Sequence, residues 1–339
     1  MFAGGTNNPD ETLAQFGTRR LGKEAFERLI DPMASGVFAG NADRLSLKSC
    51  FPRINEIEME YGSLIRGLIK LQKKAKREGA KNTPGPGPGG TLTSFKHGMS
   101  ALTDSLADQL GSRIRVSTPV KDISRDGSRY TLLLDNDRQD ECEHLILAAP
   151  AHAQAVMLQA LDPSLASLLR EIPYPALSVC CFGYQKQRVG QVLDGFGFLI
   201  PSKEKRSVLG TIVDSNVFSG RAPEGSILLR SMVGGARSPE LAMLPDEQLI
   251  SRVRSDLQDI LGLKAEPDFI RIFRHQRAIP QYEVGHAARL EAIEEKLQQH
   301  PGLVLTGNAF KGVSLNDCVV NAWKTAQSLL PQAHNGAHT

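Results

Sequence analysis

LVLTGNAFKGVSLNDCVVNAWKTAQSLL, residues 303–330, decides how this chain is read. Leu303-Val304-Leu305-Thr306 is a short apolar run of strand type. Gly307-Asn308 and Gly312 break it into a turn, and a helix pattern follows. Val319, Ala322, Trp323, Ala326, Leu329 and Leu330 recur at three- and four-residue spacing, which predicts one buried helical stripe. A strand, a glycine-bearing turn and a helix start together present free backbone N–H groups and about half a positive charge. Such a corner suits an anion or the electron-rich edge of a reduced flavin; by itself it reads first as an ordinary strand–helix connection.

Outward from this segment, the chain alternates helical and strand-rich stretches. Asp10 or Thr12 is placed to cap a first helix, and Ile54–Arg77 reads as one long helix with Ile57, Ile65, Leu68, Ile69 and Leu71 as buried positions. That helix ends in a basic tail of Lys70, Lys73, Lys74, Lys76, Arg77 and Lys81, a solvated face or a surface for anionic lipid. Thr83–Gly90 is a Pro/Gly connector that formally matches G-x-G-x-x-G. No strand precedes it and its prolines lack amide donors, so it is rejected as a phosphate loop. A helix over Ser100–Leu110 stops at Gly111, and strands are expected at Ile114–Ser117, Arg129–Leu134 and His144–Ala149, the last covered on both faces. Residues 152–170 read as helix. Strands follow at Leu177–Tyr184, Gly197–Ile200, Ser207–Asp214, Ser226–Val233 and Asp268–Arg274, interrupted by an amphipathic helix over Asp246–Leu261. The expected fold class is α/β, in mixed α+β form, with two lobes.

Composition narrows the function. The chain has 339 residues, 41% hydrophobic and 23% charged, a folded protein more comfortable as two domains than one. A net charge of +3 is too mild to argue for nucleic acid. Eight histidines lack ligand spacing, so no metal site is expected. Five cysteines (Cys50, Cys142, Cys180, Cys181 and Cys318) contain no CxxC pair and read as free thiols. No apolar run reaches the ~18–20 residues of a bilayer span. The start, MFAGGTNNPDET, lacks the features of a signal peptide, so any membrane contact is expected to be peripheral.

Six strings, in order, resemble the flavin-dependent protoporphyrinogen oxidases within the amine-oxidase-like flavoproteins. They are FGTRRLGKEAFERLIDPMASGVFAGNADRLSLKSCFP, FKHGMSALTDSL, STPVKDI with HLILAAPA, DGFGFLIPSKEKRSVLG, IPQYEVGH and GNAFKGVSLNDC. The resemblance implies a partial FAD-binding Rossmann-like domain, a mixed-sheet substrate domain and a helical membrane-facing region. It divides the chain into a helical region 1–105 with the linker 83–90, FAD-domain segments 106–150 and 291–339, and a substrate domain 151–290. It implies FAD as cofactor. Val120 would meet the adenine through its backbone; Gly307, Asn308, Gly312, Val313, Ser314 and Leu315 would shape and line the flavin site. Gly36, Phe196, Gly197, Leu199 and Met232 would border an apolar slot for a flat tetrapyrrole. The implied reaction removes hydride from protoporphyrinogen to the flavin, six electrons in all, with O2 as acceptor and no catalytic side chain. Coproporphyrinogen as substrate, a cofactor-less tetrapyrrole-binding protein and another amine-oxidase-like enzyme such as a desaturase are the alternatives. A homodimer and a peripheral place on the cytoplasmic side of a membrane, in a bacterial cytoplasm or at an organelle inner membrane, are further implications. The sequence departs from the family in lacking its opening strand–G-x-G-x-x-G–helix unit and the basic residue for a propionate. The expectation is therefore a carboxy-terminal portion that binds FAD poorly when alone. A smaller departure is Ala287, where relatives often carry a bulky aromatic.

Overall fold

The computed structural model describes residues 10–77, 92–190 and 194–330; the linker 83–90 and Lys81 lie outside them. The chain forms two compact units, one of Met1–Arg115 and Tyr174–Ala278, the other of Val116–Pro173 and Ile279–Thr339. The strands among the described residues are β1 (Val120–Asp126), β2 (Arg129–Leu134), β3 (Gln139–Cys142), β4 (Leu145–Leu147), β5 (Leu177–Gln185), β6 (Gly197–Leu199), β7 (Val208–Val213), β8 (Ser226–Gly234), β9 (Phe269–His275) and β10 (Leu303–Leu305).

The first unit is built on an antiparallel sheet of order β6-β7-β8-β5-β9. β5 (LSVCCFGYQ) and β8 (SILLRSMVG) alternate apolar residues at a period of two, and every second side chain is buried. Cys180, Phe182, Ile227, Leu229 and Val233 pack on Leu249, Val253 and Leu257, one face of the helix Asp246–Leu261. Cys181, next to the buried Cys180, points to the other, open face of the sheet and is half-buried. Burial pushes the Cys180 thiol up to about 12, with Cys181 as a smaller cause. Asp256 ties that helix to the sheet: its Oδ2 accepts from the Ser207 and Val208 amides at 2.8 and 3.0 Å.

Short helices make up the amino-terminal part of this unit. Thr12 caps the helix Leu13–Leu21 in a capping box with Gln15. The expected helix over 54–77 is two helices, Pro52–Tyr61 and Leu64–Arg77, because Gly62 takes a left-handed conformation (φ 65°) that ends the first. Ile57 is buried as anticipated, whereas Leu68 and Ile69 are exposed.

The second unit holds a parallel pair, β4 with β10, and an antiparallel meander β1-β2-β3. Ile114–Ser117 is not a strand: Ser117 adopts φ 51° and β1 starts only at Val120, after Pro119. Tyr130 of β2 is fully buried and its hydroxyl donates to the Pro301 carbonyl at 3.0 Å, anchoring the meander beside β10. Strand β4 is shorter than the apolar run Leu145–Ala149, and Ile146 is exposed among the described residues. The helix Leu315–Leu329 forms over the predicted span, but its stripe is uncovered, with Val319 52% and Trp323 63% exposed. No helix of the described residues is long and apolar enough to cross a membrane.

Candidate functional site

The carboxy-terminal turn is organised from both sides. Gln154, fully buried, donates its Nε2 to the carbonyls of Leu147, Ala149 and Thr306 at 3.2, 2.6 and 3.1 Å, binding together the carboxy ends of β4 and β10. Past Thr306, Gly307 takes φ 120°, a conformation costly for any other residue. The Tyr282 hydroxyl donates to the Asn308 carbonyl, while its ring stacks on His286 with centroids 4.4 Å apart. Gly312 (φ 74°) lies so close to Asp317 that a Cβ there would be 2.4 Å from the Asp317 side chain.

Ser314 then starts the helix. Its Oγ accepts from the Asp317 amide at 3.1 Å, and the Asp317 carboxylate accepts from the Ser314 amide at 3.3 Å. Asp317 therefore already sits on the positive end of the helix dipole. The Leu315 and Asn316 amides receive no side-chain cap, and Leu315 is exposed beside the half-buried Val313. The predicted Gly307, Asn308, Gly312, Val313, Ser314 and Leu315 thus lie along one turn, residues 307–315, that leads from β10 into the helix. A cavity of about 520 Å3 adjoins it, walled by Thr306, Gly307 and Phe310. Val120 stands elsewhere in this unit, as the first residue of β1 in the meander, opposite Leu134.

The other predicted group lies in the first unit and does converge. Gly36, in the helix Asp31–Phe38, faces Leu199 so closely that a Cβ would be 2.6 Å from the leucine. Gly210 abuts the same side chain, at 2.7 Å for a built Cβ. Gly197 (φ 146°) approaches the Thr211 carbonyl, where a Cβ would be 2.2 Å away. Phe196 precedes it, 56% exposed. Register then extends the surface across the sheet: Leu199 pairs with Gly210, Gly210 with Met232, Met232 with Val179, and Val179 with Phe273. Leu199, Met232, Val179 and Phe273 form an apolar row on the open face.

The neighbouring row on that face runs Gly197, Ile212, Arg230, Cys181, Arg271. Arg230 is held bidentately by Asp214 at 2.9 and 2.8 Å. Arg271 lies 5.2 Å over the Phe273 ring and has no acidic partner among the described residues. Val179, Phe273, Arg230 and Arg271 were not anticipated from the sequence. The period-two pattern of FIRIFRH in β9 signals a two-faced strand, but which residues it meets depends on pairing. Gly210 keeps the apolar row low between Leu199 and Met232, so a flat, greasy ligand can lie against it with Arg230 and Arg271 in the adjacent row.

Comparison with known proteins gives a consistent picture. A family model described as flavin containing amine oxidoreductase matches residues 2–330. The chloroplastic protoporphyrinogen oxidase of Oryza sativa subsp. japonica is 32% identical over 337 residues, covering 94% of this chain and 63% of that protein. The coproporphyrinogen III oxidase of Bacillus subtilis (strain 168) is 32% identical over 312 residues, covering 91% of this chain and 65% of that one. The chain thus spans less than two thirds of the length of these relatives. Among solved structures, an Exiguobacterium sp. 255-15 protein provisionally assigned as a protoporphyrinogen oxidase superposes with a TM-score of 0.78 at 30% identity, over 94% of this chain and 66% of its own. A reduced UDP-galactopyranose mutase superposes with a TM-score of 0.63 at 16% identity, over 88% and 62%, which speaks for the fold alone.

Proposed function

The chain belongs to the flavin-containing amine oxidoreductase family, and from that membership we propose that it serves the FAD-dependent oxidation of a porphyrinogen, protoporphyrinogen IX first, to the porphyrin. The observation that carries this reading is the open face of the sheet, where Leu199, Met232, Val179 and Phe273 lie in one row beside Arg230 and Arg271. A tetrapyrrole offers broad apolar faces and carboxylate arms, and this surface offers the complement to both. FAD, when bound, supplies the acceptor for the hydride equivalents that the macrocycle gives up.

The chain's own residues have simpler tasks. Residues 307–315 fit one edge of a flavin ring: Gly307 and Gly312 let the backbone lie flush, and Val313 and Leu315 give an apolar ledge. Segments 106–150 and 291–339 would serve the cofactor and 151–290 the substrate, with Val120 toward the adenine. Phe196, Leu199 and Met232 would exclude water from one face of the macrocycle, and Gly36, packed against Leu199, would hold that side chain in place at the border of the slot. Arg271 would take a carboxylate. O2 as final acceptor, attachment on the cytoplasmic side of a membrane and a homodimer belong to the same proposal. The helix Leu64–Arg77, with exposed Leu68 and Ile69 beside Lys70, supports the membrane contact.

The uncompensated Arg271 favours a second reading, coproporphyrinogen, which carries more carboxylates. Fluorescence titration with protoporphyrin IX and coproporphyrin III tests both. Met232→Glu is expected to weaken each by about tenfold or more, the cost of setting a charge against an apolar face. Arg271→Glu should weaken coproporphyrin more than protoporphyrin under the second reading, and both alike under the first. Binding unchanged by Met232→Glu would sink the surface assignment. Flavin absorbance after FAD reconstitution, together with saturable porphyrin binding, would exclude a binding protein that performs no oxidation.

A further inference from the structure

Between β6 and β7, residues 200–207 border a cavity of about 340 Å3 whose wall carries Lys205, Arg206, Arg237 and Arg252, with the hydroxyls of Ser202 and Ser238 and no carboxylate among the lining residues. Val208 and Leu241, which line it, belong to or pack on the core under the helix Asp246–Leu261, whereas the row containing Leu199 is on the opposite face. The porphyrinogen reading makes no use of it.

Two of the four cations are compensated. Arg237 is paired with the buried Asp31, and Arg206 with Asp259 at 2.5 Å and Asp256 at 3.5 Å. Lys205 and Arg252 have no acidic partner among the described residues. The wall is also fixed in shape. Asp31 Oδ2 accepts from the Ser202 amide at 2.9 Å, and the short turn Ser202–Glu204 ends on Lys205. Lys205 adopts φ 52° and ψ 36°, left-handed backbone that glycine takes freely and lysine rarely. A strained backbone position thus puts an unpaired ammonium on the lining of the same small cavity as an unpaired guanidinium and the hydroxyls of Ser35, Ser202, Ser207 and Ser238, a set of point charge, planar fork and neutral donors that suits an oxyanion.

We propose that this cavity binds a phosphate-type oxyanion, supplied either by a soluble phosphate compound or by the headgroup of an anionic phospholipid. Calorimetric titration of the full chain with inorganic phosphate and pyrophosphate, at constant ionic strength, tests it. Saturable binding is expected, tighter for pyrophosphate, and about tenfold weaker in each of Lys205→Gly and Arg252→Gln. Lys205→Gly removes the charge while relieving the backbone, so its unfolding midpoint without ligand should not fall. Lys186→Gln, an exposed lysine outside the cavity, should leave binding unchanged. Co-sedimentation with phosphatidylglycerol and phosphatidylcholine vesicles separates the sources. A loss of phosphatidylglycerol binding in the two cavity variants assigns a lipid headgroup; unaltered vesicle binding together with variant-sensitive pyrophosphate binding assigns a soluble compound. Phosphate, pyrophosphate and vesicle binding all insensitive to Lys205→Gly and Arg252→Gln would overturn the site, as would equal weakening by Lys186→Gln.

Discussion

Asp31→Ala should lower the stability of the first unit by about 3 kcal/mol, read as a fall in the urea midpoint followed by circular dichroism. Asp31 is 2% exposed and accepts from both the Ser202 amide and the Arg237 guanidinium. Burial by itself disfavours its charge; the hydrogen bonds from Arg237 and Ser202 outweigh that and hold the carboxyl below the usual carboxylate range. Alanine would leave a guanidinium and a buried amide without their acceptor. The loss falls toward the lower end for a broken buried pair because the Arg237 side chain, 21% exposed, can draw in water.

The acid behaviour follows from the same shift. A carboxyl whose pKa is lower folded than unfolded contributes its stability in full above the unfolded value, about 3.9, and loses it as pH falls through the folded value. The gap between wild type and Asp31→Ala should therefore be constant from neutrality to about pH 5 and narrow below pH 4. Superimposable urea curves at pH 7 would show that the Asp31 network contributes nothing.

Gly302→Ala should act as strongly on the second unit, by about 3 kcal/mol. Gly302 precedes β10 with φ 89°, and a Cβ there would lie 2.3 Å from the Glu143 carbonyl oxygen, a backbone atom that cannot swing away. The Gly302 carbonyl also accepts from the Leu145 amide at 2.8 Å, the first bond joining β10 to β4. Backbone strain and collision thus fall on the rung that sets the parallel pair. Amide exchange at Leu145 and Thr306 should accelerate roughly hundredfold. Rates within a factor of three of wild type would mean the turn can relax without loss.

Local pattern accounts for what could be read in advance. The helix Asp246–Leu261 and the strand Arg129–Leu134 form over the residues expected, because each carries a complete period and its own stop signals. The polar β3 (QDEC) has no such period and forms only because β2 supplies its partner. Ile114–Ser117 alternates like a strand, yet Ser117 turns the chain before any pairing. In the helix Leu315–Leu329 the spacing correctly announces an apolar face and is silent on whether anything covers it. The ledge 307–315 could be read because it is contiguous in the chain. In the row of Leu199, Met232, Val179 and Phe273, the first two were expected only through the family resemblance and the last two not at all, since the row draws on four strands and exists only once their register is set.

One small detail of β5 gives the first unit a chemical gauge. Adjacent thiols at 180 and 181 look in opposite directions, one sealed in the interior and one toward the open side. Slippage of that interior strand by a single residue would exchange their surroundings and deliver the sealed sulfur to an alkylating reagent. The pattern of modification at these two neighbours therefore tells whether the sheet is correctly threaded, independently of any ligand or catalytic assay.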